Sequence, residues 1–144
     1  MQYTALFRGI NVGGKNIVKM AALRQLFLNL GLSKVQTYIQ SGNVVFESDL
    51  DEPSLLDIIY AGFDEHFGFQ CDVMMRNIDE IRFLIEQLPI TPAEKSAAEL
   101  ADSKTEHLYV YFLSDLPKQS VIDAVCRKYE GEDILRKGTR ELYF

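Results

Sequence analysis

Apolar residues along this chain recur with two different periods, and the changes from one to the other mark the elements. Tyr3 to Phe7 reads as a short buried strand, followed by a glycine-rich loop from Gly9 to about Lys19. Met20, Leu23, Leu26, Phe27 and Leu30 then recur at three and four residues, which predicts a helix with one apolar face; Gly31 supplies the left-handed residue that stops it. Val35, Thr37 and Ile39 alternate with polar neighbours, and Ser41-Gly42-Asn43 turns the chain into Val44-Val45-Phe46, a hairpin. Asp51-Glu52-Pro53 opens a second helix with Leu55, Leu56, Ile59, Phe63 and Phe67 on its face and Gly68 at its end. Phe69 to Met75 completes a fourth strand. The order β-α-β-β-α-β over residues 1–76 predicts an α+β fold: a ferredoxin-like antiparallel sheet with two helices on one face.

Residues 77–106 read as a connection. Asn77-Ile78-Asp79-Glu80 has the form of a capping box ahead of an apolar stripe of Ile81, Leu84, Ile85 and Leu88 that Pro89 closes. The alanine-rich, polar stretch from Thr91 to Lys104 reads as a solvated linker in which Pro92 and Glu94 could start a weak helix. Over residues 107–144 a strand at Leu108–Leu113 leads to a helix whose face is Val121, Ile122, Val125 and Tyr129, ended by Gly131. Ile134-Leu135 and Leu142-Tyr143-Phe144 then flank a turn at Lys137-Gly138-Thr139. So β-α-β-turn-β occurs twice, the second time as an incomplete subdomain that ends at Phe144 within a strand, as a truncated chain would. The first copy spends about a dozen residues between strand and helix where the second needs only Ser114-Asp115-Leu116. Surplus loop of that kind tends to carry function.

Composition narrows the classes. With 47% hydrophobic and 25% charged residues the 144-residue chain is an ordinary globular sequence, and its net charge of -6 works against diffuse attraction to nucleic acid or anionic membrane. Only Cys71 and Cys126 are present, too few for a zinc cluster and too far apart in the chain to suggest a disulfide framework. No segment approaches the length needed to span a bilayer, and nothing at the N-terminus resembles a secretion signal. The expectation is a cytoplasmic protein without a membrane partner.

Two segments are familiar as they stand. Ala5-Leu6-Phe7-Arg8-Gly9-Ile10-Asn11-Val12-Gly13-Gly14-Lys15-Asn16 and Thr37-Tyr38-Ile39-Gln40-Ser41-Gly42-Asn43-Val44-Val45-Phe46 resemble the two hallmark segments of the bacterial family DUF1697. The later Phe67-Gly68-Phe69 also fits. The resemblance implies the fold and leaves the chemistry open, since the family's function is unknown. It also implies a further segment with a Ser-Lys pair and a Thr-Arg-Asn-Trp-Arg-like motif, which this sequence lacks.

Candidate chemistry centres on the loop. Gly9 to Asn16 matches G-x-x-x-x-G-K, but Asn16 stands where a phosphate-binding loop needs Ser or Thr for magnesium, and Ile17-Val18-Lys19 separates Lys15 from the helix. A nucleoside triphosphatase is therefore disfavoured. The looser expectation is an anion-binding concavity: amides of Gly9, Gly13 and Gly14, charge from Arg8 and Lys15, and neutral hydrogen bonds from Asn11, Asn16, Gln40, Ser41 and Asn43. Against it stands the plain reading in which the glycines only permit turns and the cations are solvated. His66, His107, Cys71 and Cys126 read as packing or surface positions, no metal site is expected, and no nucleophile-base pair stands out. Tyr38, Phe46, Tyr109 and Tyr111 could form an aromatic platform for bases, but the acidic balance and the absence of a basic-aromatic motif favour core or interface positions, and nucleic acid is possible but not favoured. Three functions stay open, with cofactors unknown: a binding module for a small anionic or nucleotide-like ligand at residues 8–16, an enzyme of phosphate or acyl chemistry completed by the missing segment, and a protein of assembly or self-association.

Overall fold

The computed structural model describes residues 1–101, 104, 108–128 and 134–144. His107, Tyr129 and Gly131 lie outside them. The chain divides into two compact units, Met1–Phe83 and Leu84–Phe144.

In the first unit the elements are β1 (Gln2–Phe7), α1 (Met20–Asn29), β2 (Ser33–Tyr38), β3 (Asn43–Glu47), α2 (Glu52–Phe67) and β4 (Val73–Asn77). The four strands form one sheet in the order β2-β3-β1-β4, antiparallel throughout, with Ala5 opposite both Val44 and Met75. Alternation along β1 sends Tyr3, Ala5 and Phe7 into the core. There they meet Leu23, Leu26 and Phe27 of α1 and Leu55, Ile59 and Phe63 of α2. Phe27 sits edge-on to Phe7 and Phe46, and Phe63 stacks on Phe7, so rings from both helices and both central strands interlock. Removing one such ring typically costs about 3–5 kcal/mol.

The ends of α2 follow from single residues. Asp51 caps it by accepting from the Ser54 amide at 3.0 Å, Pro53 occupies the first turn, and Gly68 closes it at φ 73°. Of the helical faces read from the periodicity, Leu23, Leu26, Phe27, Leu55, Ile59 and Phe63 are buried, and Met20, Leu30, Leu56 and Phe67 are half-buried against the core. Two strand boundaries differ from the sequence expectation. Ile39 leaves the alternation because its φ of 47° ends β2 at Tyr38, so its side chain turns out to solvent. Phe69 and Cys71 precede β4 instead of belonging to it and pack against the core edge.

The boundary between units falls within α3 (Ile78–Glu86). Its capping box forms as written in the sequence: Asn77 Oδ1 accepts from the amides of Asp79 and Glu80, and the Asn77 amide donates to Glu80 Oε2 at 2.8 Å. Its expected apolar stripe is only half realised, because Ile85 is exposed.

The second unit holds α4 (Pro92–Ala101), β5 (Val110–Phe112), α5 (Gln119–Lys128), β6 (Arg136–Lys137) and β7 (Glu141–Tyr143). Its strands run β5-β7-β6, antiparallel, which is the order β1-β3-β2 of the first unit, so the internal echo in sequence is an echo in topology. The expected helical face is thin: Ile122 is buried while Val121 and Val125 are exposed. The stretch expected to be solvated holds a ten-residue helix fixed by two polar devices. Thr91 and Glu94 form a second reciprocal capping box. Arg136 then reaches back with both terminal nitrogens to the Glu94 carboxylate, at 3.0 and 2.6 Å, and donates to the Pro89 carbonyl.

This pair sets a pH dependence. The bonds from Arg136 and Thr91 hold the Glu94 carboxyl at a pKa of about 2 instead of 4.5. A depressed carboxyl contributes stability that is present above 4.5 and lost as pH falls towards 2. We predict that Glu94→Gln lowers the melting temperature of the second unit at pH 7, and that the difference from the parent shrinks through that acid window and vanishes below it. A difference in melting temperature that stays constant down to pH 2 would show that the carboxylate contributes nothing beyond its shape.

Candidate functional site

The loop between β1 and α1 is itself a small folded object. Val12 and Lys15 pair as an isolated bridge, closed by the Lys15 amide donating to the Val12 carbonyl at 3.1 Å. Between them Gly13 and Gly14 both take positive φ, 60° and 73°, as the type I′ turn of a tight hairpin requires. The Asn11 amide donates to the Asn16 carbonyl below that turn, and Asn16 Nδ2 donates to the Gly9 carbonyl, closing the base. These contacts explain the glycine pair without a phosphate. They also separate the segment from a phosphate-binding loop, in which the lysine would open the helix.

Asn11 is the clamp of the site. Its Nδ2 donates to the carbonyls of Val18 and Gln40 at 2.9 and 3.0 Å, and its Oδ1 accepts from the Val18 amide at 2.8 Å. Both Nδ2 hydrogens are thereby engaged within the protein, so Asn11 positions the loop. Beside it Ile10 is buried against Gly42, where an added Cβ would lie 2.5 Å from Ile10 Cδ1 and 3.0 Å from Phe7 Cβ. The β1-α1 loop and the β2-β3 turn therefore converge. Two backbone bonds extend the ladders to the same end of the sheet: the Phe7 amide to the Gly42 carbonyl and the Arg8 amide to the Asp72 carbonyl, at 3.1 and 2.9 Å.

On one flank of the loop an open cleft of about 650 Å³ is lined by Arg8, Gly9 and Asn16, by Tyr60 and Asp64 of α2, and by Cys71 and Asp72. Of the ten residues expected to form a site, these first three share the cleft; Lys15, Gln40, Ser41 and Asn43 do not line it. Asn43 Nδ2 donates to Ser41 Oγ at 3.0 Å, which serves the turn. The amides of Gly9, Gly13 and Gly14 donate to no backbone carbonyl among the described residues. Arg8 lies 4.0 Å from Asp72 with both side chains largely exposed, a weak surface pair that a stronger anion could displace. Tyr60 holds the start of β4, its hydroxyl accepting from the Val73 amide and donating to the Val73 carbonyl at 3.3 and 3.4 Å. Burial, with the Asp72 charge adding to it, pushes the Cys71 thiol up to about 11, so it stays protonated and unreactive at neutral pH. Among the described residues no three His, Cys, Asp or Glu gather as metal ligands, and no helix is long and apolar enough to cross a membrane.

One signal for this site was present in the sequence and passed over by composition totals. Arg8, Lys15, Lys19, Arg24 and Lys34 precede Glu47, the first acidic residue in the chain, so all 21 carboxylates fall after residue 46. The net charge of -6 conceals a basic first third. Lys34 is neutralised by Glu47 at 3.0 Å and Arg24 Nε is engaged with the Val35 carbonyl. Lys15 and Lys19 are exposed and have no acidic partner among the described residues. Of the rings weighed as a platform for bases, Phe46 is fully buried on the helix-covered face, between Tyr3 and Phe27, in keeping with the core reading, while Tyr38 is exposed.

Fold and site together define an α+β protein of antiparallel sheets with a hydrogen-bonded loop beside an open cleft. The chain belongs to the family described as proteins of unknown function DUF1697, whose model matches residues 1–143. The solved structure of a conserved bacterial protein from Streptococcus pneumoniae is similar, with a TM-score of 0.76 and 30% sequence identity over 99% of this chain and 74% of that one. No curated protein matches the chain.

Replacing the clamp separates architecture from binding. We predict that Gly42→Ala and Asn11→Ala each destabilise the protein by roughly 1–3 kcal/mol, the first through its positive φ and the clash with Ile10, the second through the loss of three hydrogen bonds, two of them to the part-buried backbone of Val18. Urea denaturation measures both. Stability within error of the parent for the two variants would mean that the loop is not held by these contacts.

Proposed function

We propose that this protein is a non-catalytic binding module that takes a small anionic or nucleotide-like ligand in the cleft beside the β1-α1 loop. The observation that carries the reading is Arg8, a largely exposed cation on a cleft wall that also holds Asp64 and Asp72, paired only weakly with Asp72 at 4.0 Å. Arg8 is the group to meet the anion, through paired N–H donors of the kind that match phosphate and carboxylate. Asn16 is placed to add a neutral hydrogen bond, and the Gly9 backbone permits close approach.

Asp72 gives the test its second arm, because it competes with any anion for Arg8. Titration calorimetry with inorganic phosphate and with ATP should show binding by the parent chain and a loss of roughly tenfold or more in Arg8→Ala, since a charge-assisted bond is removed. Asp72→Asn should bind both probes more tightly. Unchanged affinity in Arg8→Ala, or weaker anion binding in Asp72→Asn, would remove the cleft from consideration as an anion site.

A further inference from the structure

The cleft beside the β1-α1 loop is mixed in charge. Arg8 is its cation, and Asp64 and Asp72 set two carboxylates against it. Arg8 and Asp72 project from adjoining backbone, since the Arg8 amide donates to the Asp72 carbonyl at 2.9 Å. Their charged ends stand 4.0 Å apart, beyond the length of a hydrogen bond, with both side chains largely exposed. Asp64 has no cationic partner among the described residues. It lies one turn from Tyr60 on the same side of α2, and both line the cleft. The Tyr60 hydroxyl is occupied by the Val73 backbone, so what Tyr60 adds to the cleft is its ring. Asn16 spends its Nδ2 on the Gly9 carbonyl, and its Oδ1 accepts no bond among the described residues. The wall therefore carries more groups that attract a cation than groups that attract an anion.

We infer that the ligand of this cleft is a small zwitterion, with an ammonium group a short chain away from its anion. The inference rests on the reading of the cleft as an anion site and adds the second charge. A simple anion that takes Arg8 leaves Asp72 without its partner and faces Asp64 as well, so the attraction it gains is set against two repulsions. A zwitterion avoids that loss by an exchange of partners. Its anion replaces Asp72 at Arg8 while its ammonium replaces Arg8 at Asp72, so one weak pair gives way to two charge-assisted ones. Because the protein's own charges start only 4.0 Å apart, a short chain between the ligand's charges suffices. Asp64, Asn16 Oδ1 and the Tyr60 ring then add to the attraction for the ammonium group.

Titration calorimetry of the full chain at neutral pH tests it by comparing 2-aminoethyl phosphate with ethyl phosphate, and β-alanine with propionate. Each pair shares an anion and differs in the ammonium group. At least one zwitterion should bind about tenfold tighter than its simple anion, the gain from one charge-assisted bond. Which pair shows the preference identifies the anionic end as phosphate or carboxylate. Asp72→Asn should act with opposite signs, tightening the simple anion and weakening the zwitterion. Glu65→Gln, beside Asp64 in sequence but outside the cleft lining, should leave the preference unchanged, which separates contact in the cleft from a general effect of acidic charge. Equal affinity within both pairs overturns the inference, and leaves the anion site standing where Arg8→Ala still weakens the simple anions. A shift of the same sign for both members of the preferred pair in Asp72→Asn overturns it as well. Absence of binding by all four compounds overturns it together with the reading on which it rests.

Discussion

The contact on which the loop end depends is the seating of Ile10 against Gly42. A residue with no Cβ at position 42 lets the side chain of Ile10 enter the core, and entry of Ile10 fixes where the next six residues begin. Asn11 then converts proximity into a defined geometry, because its three hydrogen bonds join the loop to Val18 before α1 and to Gln40 in the neighbouring turn. Three bonds made by one side chain to two segments favour a single arrangement of the loop over its alternatives. The glycine pair at the tip follows from the hairpin, with the type I′ turn matching the twist of its two short arms.

Charge in this molecule is organised by segment, and totals hide it. A net charge of -6 argues for solubility and against diffuse polyanion binding. Yet the first third of the sequence carries five cations and no carboxylate, and the fold sets Glu47 against Lys34 and Asp72 against Arg8. Arg24 and Lys34 are engaged within the first unit, Arg8 is loosely paired, and Lys15 and Lys19 are the exposed remainder.

The two units apply one strand order with different supports. In the first, interlocked rings of Phe7, Phe27, Phe46 and Phe63 carry the packing. In the second, only Ile122 of α5 is buried, and α4 is fixed by a reciprocal cap and by the bonds from Arg136 to Glu94 and Pro89. Sequence reading offered only a weak helix start at Pro92 and Glu94, because an alanine-rich polar stretch has no apolar stripe to reveal more; what anchors the first turn of that helix is a residue 42 positions further on.

Period and punctuation in the sequence determined the helices of the first unit, their stops at Gly31 and Gly68, the hairpin, the capping box at Asn77 and the internal repeat, because each of these is decided by residues within a few positions of one another. Tertiary structure decided the rest. It made Asn11 a clamp where the sequence offered a ligand, turned Ile39 outward, buried Phe46 away from Tyr38, and brought Arg8, Gly9 and Asn16 to one cleft while leaving Lys15 outside it. The physical reason is one and the same: whether a polar or aromatic group is spent on the fold or left for a partner depends on neighbours dozens of residues distant, such as Gln40 for Asn11 and Asp72 for Arg8.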